Sequence, residues 1–197
     1  MGRLVLVLGG ARSGKSAFAE RVARAEAGDD VLYIATATVT DDEMAARIAR
    51  HRADRPAAWE TIELSMRAGD ALRQRPNLPR VLLLDCLTLL LSTPAFTDPD
   101  LSADAIEAHA TAEVDGLLRL LDEYPGMLIV VSNEVGMGLH PNSALGRSYR
   151  DALGRANQRL AARADAPYLL IAGIPLDLQR LRAATNPSHK IPSIRLR

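Results

Sequence analysis

Five runs of the chain are apolar without alternation: Leu4-Val5-Leu6-Val7-Leu8, Val31-Leu32-Tyr33-Ile34-Ala35, Val81-Leu82-Leu83-Leu84, Met127-Leu128-Ile129-Val130-Val131 and Tyr168-Leu169-Leu170-Ile171-Ala172. Unbroken apolar runs of this length are the signature of strands buried on both faces, the condition of a parallel sheet. The segments between them carry helical spacing. Ile106, Ala110, Val114, Leu117 and Leu121 recur every three or four residues, as do Leu145, Tyr149, Leu153, Ala156 and Leu160, so each set lies along one face of a long helix. The other faces of the second helix carry Arg147, Arg150, Arg155, Asn157, Gln158 and Arg159, read as mostly solvated, with a subset available to meet phosphates or a neighbouring subunit.

Shorter elements fill the gaps. A helix is expected from Lys15 to Ala27, stopping near Gly28. Asp41 can cap a helix that sets Met44, Ile48 and His51 on one face, ended by Pro56. Thr61-Ile62-Glu63-Leu64 is a short strand, and Ser65 is expected to cap a helix from Met66 to about Arg75. Residues 93–100 hold two prolines and no period, which predicts an exposed loop. Pro125-Gly126 is a turn, and Tyr168 to Ala172 is expected to close the sheet. From about Leu181 the chain is polar and aperiodic, either disordered or laid over a partner. The pattern predicts an α/β fold, a mostly parallel sheet with helices on both faces, in one domain over residues 1–180 with a tail at 181–197.

One motif gives this scaffold a chemistry. Gly9-Gly10-Ala11-Arg12-Ser13-Gly14-Lys15-Ser16 fits the G-x-x-x-x-G-K-[ST] phosphate-binding P-loop. It stands between the first strand and the first helix, as the motif requires. Glycines let the backbone wrap a phosphate chain, and the loop amides and helix N-terminus supply positive potential. Lys15 supplies an ammonium for the β- and γ-phosphates, and the Ser16 hydroxyl a ligand for Mg²⁺.

Other candidate groups fall at the carboxyl ends of strands, where ligands of parallel sheets bind. Thr36-Ala37-Thr38 follow the second strand, as a site wall or a plain loop. Asp85 tips the third strong strand, either as a carboxylate for Mg²⁺ or as a cap of the next turn. Ser132 to Leu139 is a polar, glycine-rich loop after the fourth. On residue pattern alone, His51 is either a packed core histidine or a functional one.

Composition narrows the partners. Over 197 residues the formal net charge is zero and aromatics make up 4%. There is no electrostatic case for nucleic acid or an anionic membrane, and no stacking platform for single strands. The lone cysteine, Cys86, allows no intrachain disulfide, which suits a reducing compartment. No apolar run is long enough to span a membrane. A cytoplasmic protein is expected.

Taken together, the P-loop, Tyr33-Ile34-Ala35-Thr36, Asp41-Asp42-Glu43-Met44-Ala45-Ala46-Arg47-Ile48 with His51 and Arg55-Pro56, Asn133-Glu134-Val135-Gly136-Met137-Gly138, and Arg155-Ala156-Asn157-Gln158-Arg159-Leu160-Ala161 resemble one family. The chain is similar over residues 3 to 180 to the bifunctional adenosylcobinamide kinases / adenosylcobinamide-phosphate guanylyltransferases of cobalamin biosynthesis. The resemblance implies a RecA-like P-loop NTPase fold, with ATP and GTP as substrates and Mg²⁺ as cofactor. Two reactions follow from it: γ-phosphoryl transfer to adenosylcobinamide, then GMP transfer from GTP to give adenosylcobinamide-GDP and pyrophosphate. It assigns the guanylylated nucleophile to His51, and nucleotide contacts to Thr36, Ala37, Thr38, Arg52, Ala53, Asp54, Arg55, Glu63 and Asp85. Glu63 would accept from the guanine N1–H and amino group. It also implies a homotrimer, a corrinoid as the small-molecule partner, and neither nucleic acid nor membrane insertion. Two alternatives stand beside it: a P-loop small-molecule kinase without guanylyl transfer, in which His51 is a core residue, and a non-catalytic nucleotide-binding regulator.

Overall fold

The computed structural model describes residues 1–37, 56–98 and 100–184. The helix expected around Met44, Ile48 and His51 lies outside them. Seven strands form one sheet: β1 (Arg3–Gly9), β2 (Val31–Ala35), β3 (Glu60–Glu63), β4 (Val81–Asp85), β5 (Met127–Asn133), β6 (Ala166–Ile171) and β7 (Ile174–Asp177). Their order is β3-β2-β4-β5-β1-β6-β7. Every neighbouring pair is parallel except β6–β7. The mostly parallel α/β architecture expected from the apolar runs is therefore present.

Six helices among the described residues cover the sheet: α1 (Lys15–Ala27), α2 (Ala68–Arg73), α3 (Leu87–Thr97), α4 (Ala103–Glu123), α5 (Ala144–Arg163) and α6 (Leu178–Ala184). Strand alternation divides the core in two. Leu4, Leu6, Leu82, Leu84, Leu128 and Val130 face α2, α3, α4 and α5. Val5, Val7, Tyr33, Leu83, Ile129 and Val131 face α1, which presents Ala19 and Ala23. Burial of a Leu or Val side chain contributes about 1.5–3 kcal/mol, so residues at these positions are apolar on both faces.

Four elements depart from the sequence pattern. Residues 93–97, expected in a loop, complete α3, which runs through Pro94. Proline removes the donor that would meet the Leu90 carbonyl; His109 Nε2 on α4 lies 3.2 Å from that oxygen and donates instead. Helix α2 begins at Ala68 rather than after Ser65, with Arg67 at its N-cap in the left-handed region (φ 51°). Its first amides, on Arg67 and Ala68, donate to the buried carboxylate of Glu113 on α4. The sheet does not close at Ala172: Ala172 (φ 52°) and Gly173 (φ 81°) form a two-residue hairpin turn into β7, as a type I′ turn demands. Finally, α6 continues to Ala184, past the expected boundary at 181.

Candidate functional site at the carboxyl edge of the sheet

The parallel register brings the strand ends level. Gly9 pairs with Asn133, Asp85 with Val131, and Ala35 with both Asp85 and Glu63. The P-loop rises from this edge between β1 and α1. Gly9 holds φ 156°, and a Cβ there would stand 2.5 Å from Ser13 Oγ and 2.7 Å from the Leu170 carbonyl oxygen, so a side chain is excluded. Arg12 (φ 58°) and Gly14 (φ 91°) turn the loop into the helix. The hairpin braces it from the side, with Gly173 N–H donating to the Ser13 carbonyl at 3.0 Å.

Three features of the loop fit a phosphate chain. No side chain caps the N-terminus of α1, and its first turn carries no acid, which leaves the helix-end potential for an anion. The Ser13 hydroxyl is buried without a hydrogen-bond partner among the described residues. Such an orphan costs about 1–3 kcal/mol, and a phosphate oxygen would relieve it. Lys15 is buried, and its Nζ donates to the Gly10 carbonyl at 2.7 Å, folded along the loop where it can swing to phosphate. Gly10, Ala11 and Arg12 are exposed, and Ser16 is half-buried at the helix start.

Asp85 ends β4, half-buried. Tyr33 donates its phenolic proton to Asp85 Oδ2 at 2.8 Å. Thr36 donates to the Cys86 carbonyl at 2.7 Å and accepts from Cys86 N–H at 2.8 Å. Burial and the neighbouring Asp85 charge push the Cys86 thiol up to about 11, so it stays protonated and is no nucleophile. Ser16 and Asp85 are oxygen donors of the kind Mg²⁺ takes. Among the described residues no group of three or more His, Cys, Asp or Glu side chains could hold a metal. That donor set suits a cation carried largely by substrate phosphates and water.

Beyond β5 the structure adds residues that the pattern did not single out. Asn157, expected on a solvated face of α5, is buried. It accepts from Ser132 Oγ at 2.7 Å and donates to the Asn133 carbonyl at 3.1 Å. Thr88 Oγ1 accepts from Asn133 N–H at 2.9 Å, and Tyr149 donates to the Thr88 carbonyl at 2.7 Å. Asn133 is thus pinned on both sides of its backbone, and the next amide, Glu134 N–H, donates to the Gly9 carbonyl at 3.0 Å. The legible signal was spacing: Leu153, Asn157 and Leu160 lie four and three residues apart, a polar residue on the buried stripe. A cleft of about 460 Å³ opens beside this exit, lined by Leu8, Glu134, Arg150, Arg155 and Gln158 among others.

The remaining candidates divide. Thr36 is buried and Ala37 half-buried at the end of β2. Glu63 is exposed at the end of β3, four strand spacings from the P-loop strand, about 19 Å. Thr38, His51, Arg52, Ala53, Asp54 and Arg55 lie outside the described residues.

A sequence profile described as cobinamide kinase / cobinamide phosphate guanyltransferase matches residues 5–178. The chain belongs to this family. It is 45% identical over 174 residues to the bifunctional adenosylcobalamin biosynthesis protein CobP of Pseudomonas aeruginosa, covering 88% of this chain and 96% of that one. It is 41% identical over 184 residues to the bifunctional adenosylcobalamin biosynthesis protein CobU of Escherichia coli, covering 89% and 99%. Among solved structures, the RadB recombinase aligns with a TM-score of 0.47 at 15% identity, over 85% of this chain and 73% of that chain. The family profile takes in the P-loop, Asp85 and the β5 exit, so the geometry above belongs to the matched region. No helix among the described residues is long and apolar enough to cross a membrane.

Proposed function

We propose that this family member carries out both reactions. It transfers the γ-phosphoryl group of ATP or GTP to the hydroxyl of adenosylcobinamide. It then transfers GMP from GTP to adenosylcobinamide phosphate through a guanylylated His51, giving adenosylcobinamide-GDP and pyrophosphate in cobalamin biosynthesis. The observation that carries the reading is the P-loop itself, uncapped at its helix and holding a buried Ser13 hydroxyl with no partner among the described residues, in a chain whose family profile spans residues 5–178.

In the kinase step the acceptor hydroxyl oxygen bonds to the γ-phosphorus and gives up its proton to solvent as the bond from the γ-phosphorus to the β–γ bridging oxygen breaks, and the nucleoside diphosphate leaves with the electron pair. The loop amides and Lys15 stabilise charge on the transferring and leaving oxygens. Ser16 and Asp85 would hold Mg²⁺, which when bound neutralises charge across the β- and γ-phosphates. In the second step the neutral His51 imidazole attacks the α-phosphorus, and pyrophosphate departs from the same cradle. The resulting phosphoramidate passes GMP to the corrinoid phosphate. Thr36, Ala37, Thr38, residues 52–55 and Glu63 are proposed nucleotide contacts.

Incubation with α-labelled GTP tests the reading. The wild type takes up acid-labile label, and His51→Ala loses it while still phosphorylating adenosylcobinamide. A wild type that takes no label overturns the guanylyl half; a folded His51→Ala lacking both activities overturns the division of roles. We also propose a cytoplasmic homotrimer. Ile171 and Ile174 pair across β6 and β7 and are exposed, as are Leu176 on β7 and Leu181 on α6; exposed apolar side chains of this kind support self-association. A monomer in sedimentation equilibrium would contradict it.

A further inference from the structure

We propose that Tyr33 and Thr36 of β2 and its exit are positioning residues for the Asp85 carboxylate, fixing the side chain and the peptide that follows it so that one oxygen faces the nucleotide-bound cation. The inference rests on the metal role given to Asp85 above.

The strand register brings Tyr33 and Asp85 together. Ala35 of β2 pairs with Asp85 of β4, so Tyr33 lies two residues back on the adjacent strand and projects from the same face of the sheet. Its ring belongs to the core on the α1 side and is 1% exposed. A side chain so enclosed keeps one rotamer. Its hydroxyl meets Asp85 Oδ2 at 2.8 Å, which ties the carboxylate to the rigid interior of the sheet and leaves Oδ1 as the second acceptor.

Thr36 acts on the backbone. Its hydroxyl spans the Cys86 residue, donating to the carbonyl and accepting from the amide. Its own amide donates to the Asp85 carbonyl at 3.3 Å. Thr36 is 1% exposed, and both hydrogen-bonding functions of its hydroxyl are engaged by this one residue. Its hydroxyl therefore serves the site through Asp85, which leaves the nucleotide contact proposed for Thr36 to its backbone. An aspartate at a strand tip is otherwise free to turn among its rotamers, and a metal ligand held by an outer partner binds better than one left to turn.

Mn²⁺ binding, followed by electron paramagnetic resonance with a non-hydrolysable ATP analogue present, tests this without turnover. Tyr33→Phe keeps the ring and removes the hydroxyl; it is expected to weaken Mn²⁺ binding about tenfold or more while metal-free nucleotide affinity stays at the wild-type value. Thr36→Val is expected to weaken Mn²⁺ binding likewise, and Thr36→Ser to restore it. Should Tyr33→Phe fail to fold, the Thr36 pair decides alone. Asp85→Asn separates the two levels of the account. If it loses Mn²⁺ while Tyr33→Phe and Thr36→Val stay within about twofold of wild type, the positioning proposal is wrong and the metal role stands. If Asp85→Asn also keeps wild-type Mn²⁺ affinity, the metal role fails and the proposal falls with it.

Discussion

A cavity of about 840 Å³ lies at the amino ends of the strands, among Arg3, Asp30, Arg80, Tyr124 and Gly126. The P-loop and Asp85 stand at the opposite ends, beside a cleft of about 460 Å³. In the wider cavity the charges already answer one another. Arg3 and Arg80 pair with Glu26, Arg73 with Glu123 at 2.6 Å, and Arg75 with Glu60. Tyr124 donates to the Pro79 carbonyl at 2.5 Å, and Asp30 accepts from Arg80 N–H at 3.0 Å. At the carboxyl edge Arg150 and Arg155 are likewise paired, with Asp151 and Glu107, but the Ser13 hydroxyl is buried without a partner among the described residues and α1 begins with no side-chain cap. A surface whose polar groups are satisfied internally has little to offer a ligand, whatever its volume. The orphaned Ser13 hydroxyl, at a cost of about 1–3 kcal/mol, marks the end proposed to bind nucleotide.

Substitutions at the two ends should therefore separate activity from stability. The largest effect is expected for Lys15→Ala. It removes the ammonium proposed to meet the phosphates and should lower kcat for adenosylcobinamide phosphorylation on the order of 10²–10³-fold with little change in melting temperature. Activity within a few-fold of wild type would break the contrast. The smaller effect belongs to the other end. Tyr124→Phe deletes the bond to Pro79 and should cost about 0.5–1.5 kcal/mol of unfolding free energy, read by urea denaturation, with both activities unchanged. A fall in kcat there would mean that the amino edge takes part in the chemistry.

The contrast also explains what the sequence disclosed. The P-loop is local: strand, glycine turn and helix are contiguous, and α1 runs from Lys15 to Ala27 as its pattern predicts. Asp85 was visible because a lone carboxylate ends an apolar run. What escaped depends on partners far along the chain. Pro94 is tolerated inside α3 because His109, fifteen residues later, supplies the missing donor. Helix α2 starts where it does because Glu113, some forty-five residues away, meets its amides. Tyr33 looked like one more apolar strand residue, and only the β2–β4 register brings its hydroxyl to Asp85. Asn157 carried a usable signal, its place on the apolar stripe, while the Ser132 and Asn133 groups it binds are set by β5.

Hydrogen–deuterium exchange with and without a non-hydrolysable ATP analogue and Mg²⁺ compares the two ends in one experiment. Slower exchange on binding is predicted for amides of residues 9–16, 33–37, 85–88 and 132–136, with residues 76–80 and 120–127 unchanged. Protection concentrated around the wide cavity at the amino edge, with the P-loop amides unaffected, would contradict the account.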